Sequence, residues 1–212
     1  PSCCGMPSSA HDTPPSFSPR QVSLRRTTNE TDVTVDLSLD GTGAYANDTG
    51  VGFLDHMLDL FARHGQFDLK TACAGDLAVD DHHTVEDVAI TLGQAIRQAL
   101  GEKAYIARYG HAYVPMDETL ARAVIDLSGR FYLQFDAAFA RPTVGDLSTE
   151  MVEHFWYSLA EQAQCNLHLS VLHGSNTHHQ VEALFKAAAR ALRMAVRREA
   201  THDAMPSTKG QL

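Results

Sequence analysis

The sequence lacks most of the features that would settle its class at a glance. It has no C-x-x-C pair. Cys3 and Cys4 are adjacent near the start, and Cys73 and Cys165 stand alone in apolar, strand-like stretches. That excludes a thiolate zinc site and a disulfide framework, and single thiols fit a reducing cytoplasm. It also lacks a basic excess. The net charge is −9 with histidine neutral, the wrong sign for a general nucleic-acid binder, although a local basic pocket for a small anion stays open. No apolar run is long enough to span a bilayer, so no membrane partner is expected. The first residues lack the basic start and apolar core of a secretory signal. Apolar residues make up 44 % of the 212 positions, enough to fill one large core or two small ones.

Histidine is the residue in excess. There are 12, and six of them fall into one repeated pattern. "DDHHTVED" spans residues 80–87 and "THHQVEA" spans 177–183, and each places a glutamate four positions after the first histidine of an adjacent pair. His178 follows His82 by 96 positions, and His154 follows His56 by 98.

The surrounding chain repeats in the same order. Residues 1–19, rich in Pro and Ser, are expected to be a disordered tail or an expression remnant. Val33, Val35, Leu37 and Leu39 alternate with polar residues and predict a half-buried strand, with a turn at Asp40-Gly41. "GFLDHMLDLFARHG" has helical spacing with Gly65 as its C-cap. "QFDLKTACAG" reads as a strand, and "TVEDVAITLGQAIRQAL" as a long helix closed by Gly101. The second copy gives "STEMVEHFWYSLAEQA", "CNLHLSVLHG" and "QVEALFKAAARALRMAV" for helix, strand and helix. Between the copies, "ARAVIDLSGRFYLQFDAAF" reads as a strand pair turning at Ser128-Gly129. The expectation is an α+β fold made of a duplicated half-domain, 20–110 and 111–212. Each half is a mostly antiparallel sheet packed on two helices, and a pseudo-twofold relates the two.

If each His-His pair opens a helix, residues four apart share a face. His82 with Glu86, and His178 with Glu182, can then meet one ion each. His83 and His179 are turned by about 100°. A pseudo-twofold would send His83 to the site of His178 and Glu182, and His179 to that of His82 and Glu86, with His56 and His154 adding one ligand each. Three imidazoles and a carboxylate suit Mn, Fe, Co, Ni or Zn, and the ligand types do not choose among them. Asp80, Asp81 and Asp87 read as helix-start and supporting groups. His11, His111, His168, His173 and His202 read as capping or surface residues. From these residues alone, a dinuclear hydrolase and a non-catalytic metal-dependent assembly protein remain alternatives.

Several long motifs in fixed order now resemble one family, imidazoleglycerol-phosphate dehydratase of histidine biosynthesis. They are "GFLDHMLDLFARHG", "DDHHTVEDVAITLG", "RYG", "PMDETLARAVIDLSGR", "VEHF", "THHQVEALFKAAARAL" and "PSTKGQL", and the likeness runs from about Arg25 to the C-terminus. The resemblance implies a manganese-dependent hydro-lyase with two Mn(II) ions per active site. Such an enzyme converts D-erythro-imidazole-glycerol phosphate to imidazole-acetol phosphate. The resemblance also implies a 24-subunit octahedral assembly built from trimers, with sites shared between neighbouring subunits.

Carried over by motif, the metal ligands are His56, His82, His83, Glu86, His154, His178, His179 and Glu182. Glu30 matches a substrate-contacting acid, and Arg108 and Arg130 match anion-binding arginines. Ser207, Thr208 and Lys209 match a phosphate loop. Residues 56–64 and 178–186 match substrate-lining segments that include His64 and Lys186. The expected chemistry holds the substrate ring as imidazolate between two metals. The ring expels the adjacent hydroxyl to give a diazafulvene-like intermediate, a base takes the neighbouring proton, and the enol becomes the ketone. Glu182, Glu86, Glu30 and His56 are the candidate acids and bases, and the sequence does not rank them.

Overall fold

A computed structural model of the chain describes residues 17–199 and 206–207; the expected tail lies mostly outside them. β1 (Gln21–Thr27) pairs antiparallel with β2 (Thr31–Ser38), where Val33, Val35 and Leu37 point into the core and Thr34 and Asp36 face out. β3 (Tyr45–Asp48) leads into α1 (Gly52–Gly65), which carries the chain back so that β4 (Asp68–Gly75) lies parallel to β3. This sheet has the order β1-β2-β4-β3, and only its last pair is parallel. α2 (His82–Leu100) closes the first half.

The second half repeats this build. β5 (Tyr109–Met116), β6 (Thr119–Asp126) and β7 (Tyr132–Asp136) precede a small ribbon, β8 (Thr143–Val144) with β9 (Leu147–Ser148). Then come α3 (Glu150–Ala163), β10 (Asn166–His173) and α4 (Thr177–Val196), and the sheet order is β5-β6-β10-β7. Only β7–β10 is parallel. The fold is therefore α+β with duplicated halves. α1 and α3 correspond end to end, and each stops at a left-handed glutamine, Gln66 at φ 54° and Gln164 at φ 52°.

Three local expectations need correction. The C-cap of α1 is Gln66, not Gly65. Gly65 is required for a different reason: a Cβ there would lie 2.2 Å from the Phe67 ring, which folds back under the helix. The stretch around Ser128-Gly129 is not a hairpin, because β10 lies between β6 and β7 and pairs with both. α2 begins at His82, two residues before the expected start, because Asp80 accepts a hydrogen bond from the His82 N–H at 2.9 Å.

Each sheet carries its own helices on its inner face, and the helices then pair across the halves, α1 on α4 and α2 on α3. A buried aromatic cluster joins them: the Trp156 ring centroid is 4.6 Å from Phe185, 5.2 Å from Phe155 and 6.3 Å from Phe61. Burying each of these large side chains contributes roughly 1.5–3 kcal/mol. Both pairs run in parallel. Glu86 meets His154 near the start of α2 and α3, and Gly93 meets Leu159 and Gln162 further along. All four helix N-termini thus collect at one end of the molecule.

The α2–α3 approach depends on Gly93. A Cβ at this position would lie 2.5 Å from the Leu159 carbonyl oxygen and 2.8 Å from Gln162 Cβ. Gly93→Ala should gain about 1 kcal/mol of helix propensity and lose about 1–3 kcal/mol to overpacking, so a net loss is expected. Urea unfolding measures it. A lower midpoint at unchanged slope is the predicted result, and an unchanged or higher midpoint would show that the two helices separate freely.

Candidate metal centre

The first turns of α2 and α4 hold the His-His pairs. The Asn176 side chain accepts hydrogen bonds from the N–H groups of His178 and His179 and so fixes where α4 begins. One turn on, Glu86 and Glu182 lie on the same face as His82 and His178. The third member of each group comes from the other half. His154 on α3 places Nε2 2.9 Å from Glu86 Oε1. Glu182 Oε2 lies 3.1 Å from His178 Nε2 and 3.5 Å from His56 Nε2 on α1. In both triads, His82·Glu86·His154 and His56·His178·Glu182, the ligand atoms lie within 4.8 Å of one another.

The two triads differ in polarity. Glu182 is 6 % exposed, and Lys186 Nζ stands 2.5 Å from its second oxygen. Burial opposes its charge, but the Lys186 hydrogen bond and charge, with His178 and His56, outweigh this and hold its pKa below the usual range. Glu86 is half-buried and has Ile90 where the other helix has Lys186. His64, on the last turn of α1, has its pKa lowered by burial and by the charges of Lys186 and Arg190.

Loops from opposite halves lock the helix starts in place. Asp146 caps α1, accepting from the N–H groups of Gly52 and Phe53 at 2.7 and 2.9 Å. Asp81 accepts from Ser148 N–H and Oγ at 2.6 and 3.0 Å. Buried Asp87 pairs with Arg26 and accepts a short hydrogen bond from Thr31, which ties the β1–β2 hairpin to α2.

His83 and His179 do not join the opposite triads within one chain, as the pseudo-twofold reading expected. Their rotation about the helix axis turns them away from the helix–helix seam. Instead His83 Nδ1 donates to Asp76 at 3.0 and 3.2 Å, with Nε2 3.9 Å from Glu30. His179 Nδ1 donates to Glu118 at 2.7 Å. That bond, together with the Asn176 N–H, holds the Glu118 pKa down to about 2. Sequence reasoning missed Asp76 and Glu118. The signal for Glu118 was present: "NET" at 29–31 and "DET" at 117–119 are the two hairpin turns of the repeat.

The anion-binding candidates lie at the other end. Arg108 N–H donates to the Ala195 carbonyl near the end of α4, and its guanidinium donates to both oxygens of Asp126 and to the Pro206 carbonyl at 2.9 Å. This brings the chain at Ser207 alongside. Arg130 is exposed in the β6–β7 loop, and its carbonyl accepts from Asn166 just after α3. Thr208 and Lys209 lie outside the described residues. From Glu182 to Ala195, α4 runs about 20 Å at about 1.5 Å per residue.

Two imidazoles and a carboxylate per triad form a donor set that fits a borderline divalent ion. Comparison with known proteins points the same way. A family model described as imidazoleglycerol-phosphate dehydratase matches residues 49–192. The imidazoleglycerol-phosphate dehydratase of Salinibacter ruber is 68 % identical over 93 % of this chain and 98 % of its own length. That of Chloroherpeton thalassium is 59 % identical over 90 % and 97 %. The crystal structure of the Staphylococcus aureus enzyme matches with a TM-score of 0.77 and 40 % identity, covering 84 % of this chain and 99 % of that one.

His56→Asn and His154→Asn should each remove one metal site and leave the other. With chelator-stripped protein, a Mn(II) titration should show about half the wild-type capacity at high affinity. Full capacity in both variants would remove the two short-helix histidines from the metal centre.

Proposed function

The chain belongs to the imidazoleglycerol-phosphate dehydratase family, and from that premise we propose that it removes water from D-erythro-imidazole-glycerol phosphate to give imidazole-acetol phosphate, a step of histidine biosynthesis in the cytoplasm. The observation that carries the proposal is the pair of His₂Glu triads, each built from both halves. We further propose Mn(II) as the ion, one for each triad and two per active site. His83 and His179 complete the donor sets from neighbouring subunits of a 24-subunit assembly. Among the described residues no helix is long and apolar enough to cross a membrane.

The bound ions would act as Lewis acids on the substrate's imidazole, lowering its proton affinity so that the ring can push out the adjacent hydroxyl. The protein has to do the rest. Lys186 secures the buried Glu182 carboxylate, so this residue serves as a fixed ligand. Both of its oxygens are engaged, one by two imidazoles and one by an ammonium, which leaves it poorly placed to carry a proton. Glu86 and His56 each give an atom to a triad. Glu30 is the freer group. It sits on the tip of the β1–β2 hairpin above His83, and among the described residues its carboxylate makes no hydrogen bond. Glu30 is therefore the favoured proton-transfer residue of the four candidates.

The phosphate end would be gripped by Arg108, Arg130 and the loop of Ser207, Thr208 and Lys209 through charge-assisted hydrogen bonds. His64 and Lys186, on the segments expected to line the substrate, would extend its contacts away from the triad. The α4 run between the triad and Arg108 far exceeds the few bonds between ring and phosphate in this substrate. One chain therefore contributes a ring-binding end to one site and a phosphate-binding end to another.

Chelator-stripped protein should be inactive on imidazole-glycerol phosphate and regain turnover with Mn(II). Glu30→Gln should keep its metal and lose roughly 10²–10⁴-fold in kcat. Ketone formation by fully metal-free protein would overturn the metal reading. Full turnover by Glu30→Gln would exclude it from proton transfer.

A further inference from the structure

The two hairpin tips occupy equivalent positions but have different partners. Glu118 follows Glu30 by 88 positions, and each is the last residue of the turn, 28–30 in the first hairpin and 117–118 in the second, that brings its hairpin against the first turn of the long helix of its own half. Glu118 is fully engaged. One oxygen accepts from His179 Nδ1, and the other accepts from the N–H groups of Ser175 and Asn176 at 3.1 and 2.8 Å. Glu30 stands 3.9 Å from His83.

The reason lies in the loop before each helix. In the first half that loop supplies Asp76, whose carboxylate already holds His83 Nδ1. The matching position after β10 is Gly174, at φ 139°, where a Cβ would lie 2.2 Å from Thr119 Oγ1. No side chain fits there, so the second half has to take its carboxylate from the hairpin tip. Asp87 completes the difference. It anchors the first hairpin to α2 through Arg26 and Thr31, whereas α4 has Ala183 at the same position of the repeat. The first hairpin is thus held in place without using its tip.

We infer that Asp76 and Glu118 are equivalent positioning residues that fix His83 and His179 in one tautomer, and that Asp76 relieves Glu30 of this task and leaves it for the substrate. An ionised carboxylate can only accept hydrogen bonds, so Nδ1 of each ring carries the proton and Nε2 keeps its lone pair for a metal. The inference rests on the proposed metal role of these two histidines.

The test titrates Mn(II) into chelator-stripped full-length chains. Asp76→Ala and Glu118→Ala should each weaken Mn(II) binding roughly 10–100-fold, and Asp76→Asn, which keeps an acceptor, should recover part of that loss. Glu30→Gln should bind Mn(II) as the wild type does. Melting of the stripped proteins separates positioning from folding. Asp76 lies in a loop and, among the described residues, its side chain hydrogen-bonds His83 alone, so its variants carry the test even where Glu118→Ala loosens the start of α4. Wild-type Mn(II) affinity in Asp76→Ala would overturn the inference and leave the proposed function standing. Equal weakening by Glu30→Gln would overturn the division of labour. Failure of the wild type itself to bind Mn(II) would overturn both.

Discussion

Everything at the candidate centre depends on one constraint: helices of opposite halves must run side by side in the same direction and at close range. Neither half can make a triad alone, because its short helix carries one histidine and its long helix carries the matching pair for the other seam. The aromatic cluster at Trp156 and the bare backbone at Gly93 set that range. Once it is set, a carboxylate as buried as Glu182 can keep its charge, because two imidazoles and an ammonium surround it. Left unpaired at that depth it would cost several kcal/mol.

The same parallel arrangement separates the two ends of the site. His and Glu ligands sit at the helix N-termini, while Arg108 and Arg130 sit where α4 and α3 finish. On the proposed reading, catalysis on a small phosphorylated imidazole would take two copies of the chain, ring end facing phosphate end. His83 and His179 fit this picture. Each is held by a carboxylate on one nitrogen and directed away from its own seam, as a group meant for a neighbour would be. If the proposed shared ligands hold, metal binding and assembly would be coupled, because ligands contributed by different subunits tie the two processes together.

Much of this was legible in the sequence for a physical reason. The strand alternation at Val33–Leu37 and the helical spacing at Val85–Ile96 are burial patterns, and burial is what shapes these elements. The duplicated His-His-x-x-Glu gave the pairing of His82 with Glu86 and of His178 with Glu182, since that pairing is local to one helix. Long-range contacts were not legible. No periodicity shows that β10 enters between β6 and β7, or that Asp146 caps a helix in the other half. Within one chain His83 and His179 reach neither opposite triad, because a pseudo-twofold in sequence does not say which seam, or which molecule, a side chain faces.

The shared site is the central claim, and subunit complementation tests it most directly. Glu182→Gln and Arg108→Ala chains should each be inactive when assembled alone. Co-expressed, they should form mixed assemblies in which some sites combine an intact triad from one chain with an intact arginine from the other, and turnover should return. Mixed assemblies that stay as inactive as either parent would contradict the account and place the whole site within a single chain.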